Sequence, residues 1–232
     1  MWPPVTAGDG AGVYEPKSFQ YYAMTYSFCV ILSAFNSEDI AMGKVEVEPT
    51  TTGLPMNCVV VSCYEPKHGG NIAAVAYCAI VNVKPPMVGV SIRPTRYSHS
   101  LIKAAGDFVV NVPLDNQARL VDLAGVVSGR SLDKFDLVGL TRALASRVKS
   151  PLIEEFPINM ECKLLDVVEL PTHNLFIGEI VALHADEALL DDAGQLSSEV
   201  APFLVFYNRA YFAIGEKVGQ FGFSKASNDK ST

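Results

Sequence analysis

Two short stretches carry residue types that could do chemistry together. "RPTRYSHSL", Arg93 to Leu101, places two guanidiniums, Arg93 and Arg96, ahead of a helix whose first turn offers Tyr97, Ser98, His99 and Ser100. A helix start has unpaired backbone N–H groups and a partial positive charge, so it is a ready seat for a phosphate. Hydroxyls and a guanidinium beside it would complete such a seat. The plainer alternative is that Ser98 or Ser100 caps the helix and the arginines are solvated. In "SGRSLDKF", Ser128 to Phe135, Arg130 and Lys134 bracket a glycine-containing loop. Asp133 there either caps the next helix or pairs with Arg130.

The third stretch is notable for lacking bulk. "HGGNIAAVAYCAIVNVKPP", His68 to Pro86, reads as a tight turn and then a strand ending at Pro85-Pro86. Asn71, Ile72, Ala73, Ala74, Val75, Ala76 and Tyr77 open that strand, with three alanines where a buried strand usually carries larger side chains. Either a neighbouring element packs closely there, or something flat lies against the backbone. Joined to the two basic loops, a bare strand suits an anionic ligand with a planar, largely apolar body. Flavin mononucleotide (FMN) has that form, and peptide N–H groups along the strand would bind the polar edge of its ring.

Other chemistries find less support. There is no G-x-G-x-x-G after a strand, no G-x-x-x-x-G-K-[ST] loop and no G-x-S-x-G elbow. His173 and His184 lie too far apart around one strand for a standard ligand pair, and His68 sits in a turn where solvation is the simplest reading. The five cysteines, Cys29, Cys58, Cys63, Cys78 and Cys162, include no C-x-x-C pair and fall mostly in apolar runs. They read as buried thiols in a reducing cytoplasm, and no metal site is expected.

The elements that must position these residues draw on a chain of 232 residues with 49% hydrophobic and 19% charged content, ample for a core. A net charge of -7 argues against a nucleic-acid groove, which needs a basic stripe. Residues 1–41 read as an extension outside the core fold. Their apolar run Phe19 to Phe35 is diluted by Gln20, Thr25, Ser27 and Ser33 and lacks a basic flank, so neither a membrane span nor a cleaved leader is expected. Residues 42–225 form the domain, and residues 226–232 a polar tail.

Within the domain, strand patterns dominate: "NCVVVSCYE", the alanine-rich strand, "MVGVSIR", "DFVVNVP", "INMECKLLDVVEL", "NLFIGEIVALHAD" and "FLVFYNRAYFAIG". In "INMECKLLDVVEL", Met160, Cys162 and Leu164 alternate with Glu161 and Lys163, which places the charged pair on a solvent face. Gly106 ends the helix after Ser100, and Leu114 to Ala124 reads as a second helix with Asp115 as its cap. Many strands with few short helices predict a mainly β, closed or partly closed barrel.

The motifs "HGGNIAAVAY", "NVKPPMVGVSIRPTRYSHSLI", "GDFVVNVP", "SGRSLDKF", "EEFPINMECKL" and "FIGEIVALHADEALLDDAG" occur in the order and spacing of the flavin reductase-like family. The chain resembles its flavoredoxin-type members over roughly Pro55 to Gly219. The resemblance implies an FMN-binding split barrel, usually a homodimer with the flavin near the subunit interface. It implies that Asn71 through Tyr77 lie along the flavin. Arg93 and Tyr97, Ser98, His99 and Ser100 would hold the phosphate, with Arg130 and Lys134 in a second cofactor loop. Asn111 would support the pocket. Ala74 replaces a frequent Thr and Tyr77 a frequent Trp, so affinity for FMN is differently tuned.

The implied activity is that of an FMN-dependent oxidoreductase. NADH, NADPH or a protein would donate electrons, and a flavin, ferric chelate or protein would accept them. No nicotinamide fingerprint distinguishes the two donors, and no residue is assigned a catalytic role. The alternatives are an FMN-binding store or sensor without turnover, and a vestigial pocket in a chain that serves assembly.

Overall fold

The computed structural model describes residues 43–197 and 201–225. The chain divides into two units, residues 1–49 and residues 50–232. In the first, residues 43–49 carry no regular secondary structure. The expectations for the Phe19–Phe35 run, Cys29 and the tail from residue 226 lie outside the described residues.

The second unit is built on seven strands in the order β3 (Asn71–Val75), β2 (Val59–Cys63), β6 (Asp107–Val112), β9 (Ile158–Glu169), β10 (Asn174–Ala185), β5 (Met87–Ile92) and β4 (Cys78–Asn82), each antiparallel to its neighbours. The two outermost strands, β3 and β4, are consecutive in the chain and joined by only Ala76 and Tyr77. So short a link brings the two edges of the sheet together. Ser91 N donates to Tyr77 O at 2.9 Å and Cys78 N to Ala76 O at 3.0 Å across the junction. The sheet therefore rolls into a barrel that is split along β3 and β4. The alanine-rich segment, expected as one strand, is two, because the chain must pass from one edge to the other at Ala76-Tyr77.

A smaller sheet pairs β1 (Met56–Asn57) with β11 (Leu204–Tyr207) and β12 (Ala210–Ala213). The turn between β11 and β12 is two residues, Asn208 and Arg209, both at positive φ, which suits the twist of a hairpin. A short pair, β7 (Arg142–Ala143) and β8 (Leu152–Ile153), lies beyond it in the topology.

Strand β2 explains how the core divides. Val59, Val61 and Cys63 point into the barrel with Val75, Val90, Phe108, Val110 and Phe176. Val60 points outward, where Ile72, Val121, Ala124, Phe135 and Phe156 form a second core. Both faces are buried, so the strand reads as a continuous apolar run rather than an alternation. Burying about ten such side chains, each contributing roughly 1.5–3 kcal/mol, is the main force closing the barrel. The outer core is roofed by α2 (Ala118–Val126) and α3 (Lys134–Val138), while α1 (Tyr97–Ala105) covers the barrel with Leu101 and Ile102.

Several local expectations change. Helix α1 ends at Gly106 as expected, with φ 74°, but its N-cap is Arg96 and no side chain caps it. Ser98 is instead engaged by Asn71, and the Ser100 hydroxyl donates back to Tyr97 O at 2.9 Å. The segment from Leu114 begins as a 3-10 turn, Asp115–Gln117, before α2 starts. Asp115 reaches only Asn116 N, and Gln117 holds the turn by accepting from Leu114 N and donating to Glu155 O.

Glu161 is the largest departure. Expected on a solvent face, it is fully buried. Its carboxylate accepts from Ser146 N, Arg147 N, Val148 N and the Ser146 hydroxyl, and it lies 2.6 Å from His184 Nε2. The loop after β7 folds over β9 and turns the outer face there into interior. Burial alone would raise the Glu161 carboxyl, but the backbone N–H groups, His184 and the Ser146 hydroxyl outweigh it and bring it down to about 2. Among the described residues no helix is long and apolar enough to cross a membrane.

Candidate functional site

Strand β3 connects two different environments. At its start lies Asn71, buried, whose Nδ2 donates to Ser98 Oγ at 3.0 Å. That contact ties β3 to the first turn of α1, which no side chain caps and where His99 N is bonded to Arg96 O at 3.1 Å. Arg96 stands at the cap position, and Lys134 is buried close by. Burial pushes the Lys134 ammonium down to about 8, with the positive charge of Arg96 adding to the effect. Its Nζ donates to Ala124 O in the last turn of α2.

The loop before α3 closes over Asn71. A Cβ on Gly129 would lie 1.9 Å from Asn71 Oδ1 and 3.1 Å from Lys134 Cδ, so only glycine fits. Asn71 Oδ1 is buried and has no hydrogen-bond partner. The Arg130 guanidinium lies 5.2 Å from the centre of the Tyr97 ring, and the Tyr97 hydroxyl donates to Glu65 at 3.2 Å. Burial opposes ionisation of Glu65, but the N–H groups of His68 and Lys67 together with Tyr97 hold its carboxyl below the usual value. Asp133 caps α3 through Phe135 N and Asp136 N. It pairs with Arg142 rather than Arg130, and His68 Nδ1 lies 3.5 Å from it, so His68 is not simply solvated.

At the other end of β3 a cleft of about 630 Å³ opens beside the Ala76-Tyr77 link. Ala76, Tyr77, Cys78 and Ala79 form one wall, Gly89, Ser91 and Leu175 the floor, and Thr50 to Asn57 the opposite wall. Two hydrogen bonds strap that last segment in place: Tyr77 to Thr51 Oγ1 at 3.2 Å, and Asn57 Nδ2 to Cys78 O at 2.9 Å. The size suits a planar multi-ring ligand. Behind Tyr77 the ring of His173 stands edge-on at 5.4 Å. Arg93 Nε donates to His173 Nε2 at 3.3 Å, and burial and the Arg93 charge together lower the His173 value.

The sequence-derived candidates thus separate into groups. Asn71, Ser98 and Lys134 come together, with Tyr97 and Arg130 stacked beside them. Ala76 and Tyr77 line the cleft. Ile72 and Ala74 face the outer core, and Val75 faces the barrel interior. The space beside Ala74 is taken by α2, since a Cβ on Gly125 would meet the Ala74 Cβ at 3.3 Å. Close helix packing accounts for that alanine. Ala73 is half-buried opposite Val61. Arg93 belongs to the His173 and Tyr77 cluster. His99 turns to Asn174 at 3.1 Å and to the edge of Phe176, away from the helix start. Asn111 is fully buried and braces β6, donating to Val60 O and accepting from Ile153 N and Asn159 Nδ2.

Thr50 to Asn57 was not among the candidates, and "TTGLPMN" has no periodicity that would mark it. Gly129 lies in "SGRSLDKF", but its contact with Asn71 exists only once β3 and that loop are packed. The described residues hold no cluster of side chains suited to a metal ion.

The flavin reductase like domain model matches residues 51–215. An uncharacterised protein of Archaeoglobus fulgidus is 36% identical over 121 residues, 52% of this chain and 68% of that protein. The fold is similar to flavoredoxin of Desulfovibrio vulgaris (Miyazaki F), with a TM-score of 0.73 at 32% identity, covering 79% of this chain and 100% of that one. It is also similar to an FMN-binding protein of Thermus thermophilus solved with bound 1-cyclohex-2-enone, with a TM-score of 0.65 at 27% identity over 78% of this chain and 98% of that one.

Proposed function

Since this chain belongs to the flavin reductase-like family, we propose that it is an oxidoreductase that holds FMN and passes electrons through it. The donor is a reduced nicotinamide or an electron-transfer protein, and the acceptor a flavin, a ferric chelate or a protein. Bound FMN supplies the redox chemistry, taking electrons as a hydride or singly. The work of the chain is to bind, orient and shield it.

One observation carries this reading: β3 joins an electropositive polar cluster at Asn71 to an apolar cleft at Ala76 and Tyr77. Five residues of strand separate them by roughly 16 Å. The residues present fit the cofactor. The open start of α1, Ser98, Arg96 and Lys134 would receive the phosphate, with Arg130 beside them. The cleft would take the ring system. Strand β3 is an edge strand, so alternate backbone N–H groups lack a sheet partner and are free to meet polar atoms of the ring. Tyr77, held by Thr51 on one side and His173 on the other, shields the cleft wall.

The protein works as a homodimer. The outer edge of β4 carries exposed Ile80 and Val81, followed by Val83, an apolar run that a second copy would cover. Val81 also lines the cleft, so the second copy would stand at its lip.

The test is an absorbance spectrum of the purified protein with added FMN, followed by NADH or NADPH without oxygen. A bound flavin spectrum that bleaches is expected. A protein that stays colourless and binds no added FMN overturns the proposal. Fast reduction by a ferredoxin-type donor alone selects electron carriage. A bound flavin that no donor reduces selects storage or sensing.

A further inference from the structure

The contact between Asn71 and Ser98 carries a consequence for ligand choice, resting on the reading just proposed. A serine hydroxyl has one proton to donate and two lone pairs to offer. Asn71 Nδ2 donates to Ser98 Oγ at 3.0 Å and so occupies a lone pair, leaving the Ser98 proton free to point elsewhere. Ser98 lies in the first turn of α1, whose N-terminus has no side-chain cap and no acidic residue. That proton can turn toward Cys63 Sγ or toward the electropositive space shared with Arg96 and Lys134, and a phosphate there would draw it to the second.

Asn71 is held in this orientation at a cost. It is 3% exposed, and its Oδ1 is buried without a partner. Such an orphaned acceptor is unfavourable, and burying an apolar side chain there would remove the penalty. The loop enforces the arrangement, because Gly129 brings backbone against Oδ1 at a place where a Cβ would stand 1.9 Å away. Fixed from that side, the amide presents its N–H groups to Ser98 and, at 3.9 Å, to Cys63 Sγ.

We infer that Asn71 is a positioning residue for phosphate selectivity: it aims the Ser98 hydroxyl at a phosphate monoester, so that the site distinguishes FMN from riboflavin. Asn71 acts through Ser98 and need not touch the ligand.

The experiment measures FMN and riboflavin dissociation constants, by flavin fluorescence quenching, for the full chain and for Asn71→Leu, Ser98→Ala and the double variant. Gly129→Ala serves as a second route, because it displaces the Asn71 amide without deleting either polar group; thermal melts establish that each variant is folded. In Asn71→Leu and Ser98→Ala, FMN binding is expected to weaken roughly tenfold or more, as for a lost charge-assisted hydrogen bond. The double variant should lose no more than either single, Gly129→Ala should match them, and riboflavin binding should hold steady throughout. Equal losses for FMN and riboflavin, or FMN losses that multiply in the double variant, overturn the inference while the flavin site stands. A parent protein that binds the two flavins equally overturns it as well. A parent that binds neither overturns the proposed function and this inference with it.

Discussion

Ala74 and Gly125 face each other so closely that a Cβ added to the glycine would stand 3.3 Å from that of the alanine. The contact lets α2 lie directly on β3, and it separates two alanines that look alike in sequence. Ala74→Leu should destabilise the fold by about 1–3 kcal/mol through overpacking. Ala76→Leu, which lines the cleft, should leave the urea midpoint in place and reduce FMN occupancy. The reverse pattern would show that the cleft and the packed face have been exchanged.

Lys134 should make FMN binding sensitive to pH. Its ammonium is held down to about 8 by burial and by Arg96, and the neighbouring Cys63 thiol, pushed up to about 12 by burial, stays neutral. A phosphate at the start of α1 would favour the ammonium and raise that value, so loading would take up a proton. FMN affinity should be full below the value in the free protein and fall as pH rises through about 8, by up to about tenfold per unit. Riboflavin titrations should be flat over the same range, and Lys134→Met should flatten the FMN profile. A wild-type FMN profile that does not change would separate Lys134 from the phosphate.

Glu161 predicts a limb of acid sensitivity. Its folded value, about 2, lies below the ordinary carboxylate value near 4.5. The stabilisation is therefore complete above the unfolded value and is lost as pH falls from there through the folded one. Glu161→Gln should cost about 2–3 kcal/mol at neutral pH by weakening bonds to a buried charge, and should remove most of the pH dependence in that window. Urea denaturation at stepped pH measures both effects.

Ile80→Asp places a charge on the exposed edge of β4. The variant should be monomeric by light scattering, where the parent is expected to be a dimer, with its melting temperature little changed. A parent that is itself monomeric would refute the homodimer.

How much could be read from sequence followed from where each residue's neighbours come from. The strands were legible because β2, β6 and β9 bury so much apolar surface that their runs stand out. The break at Ala76-Tyr77 was not, since nothing local marks a chain that must cross between sheet edges. Glu161 was misplaced because alternation assigns a face but cannot say what covers it; the loop at Ser146 to Val148 does. Asn71, Ser98 and Lys134 were each named, but their convergence depends on contacts 27 residues apart and more. The Thr50–Asn57 wall is recognisable only once Tyr77 and Cys78 are there to hold it.

The two-residue link that lets the barrel close is also a wall of the cleft beside it. A guest lodged there would act as a splint across the seam, so cofactor loading and mechanical integrity of the cylinder become a single equilibrium. Emptying the cleft would then loosen the joint, and whatever loosened the joint would shed the guest.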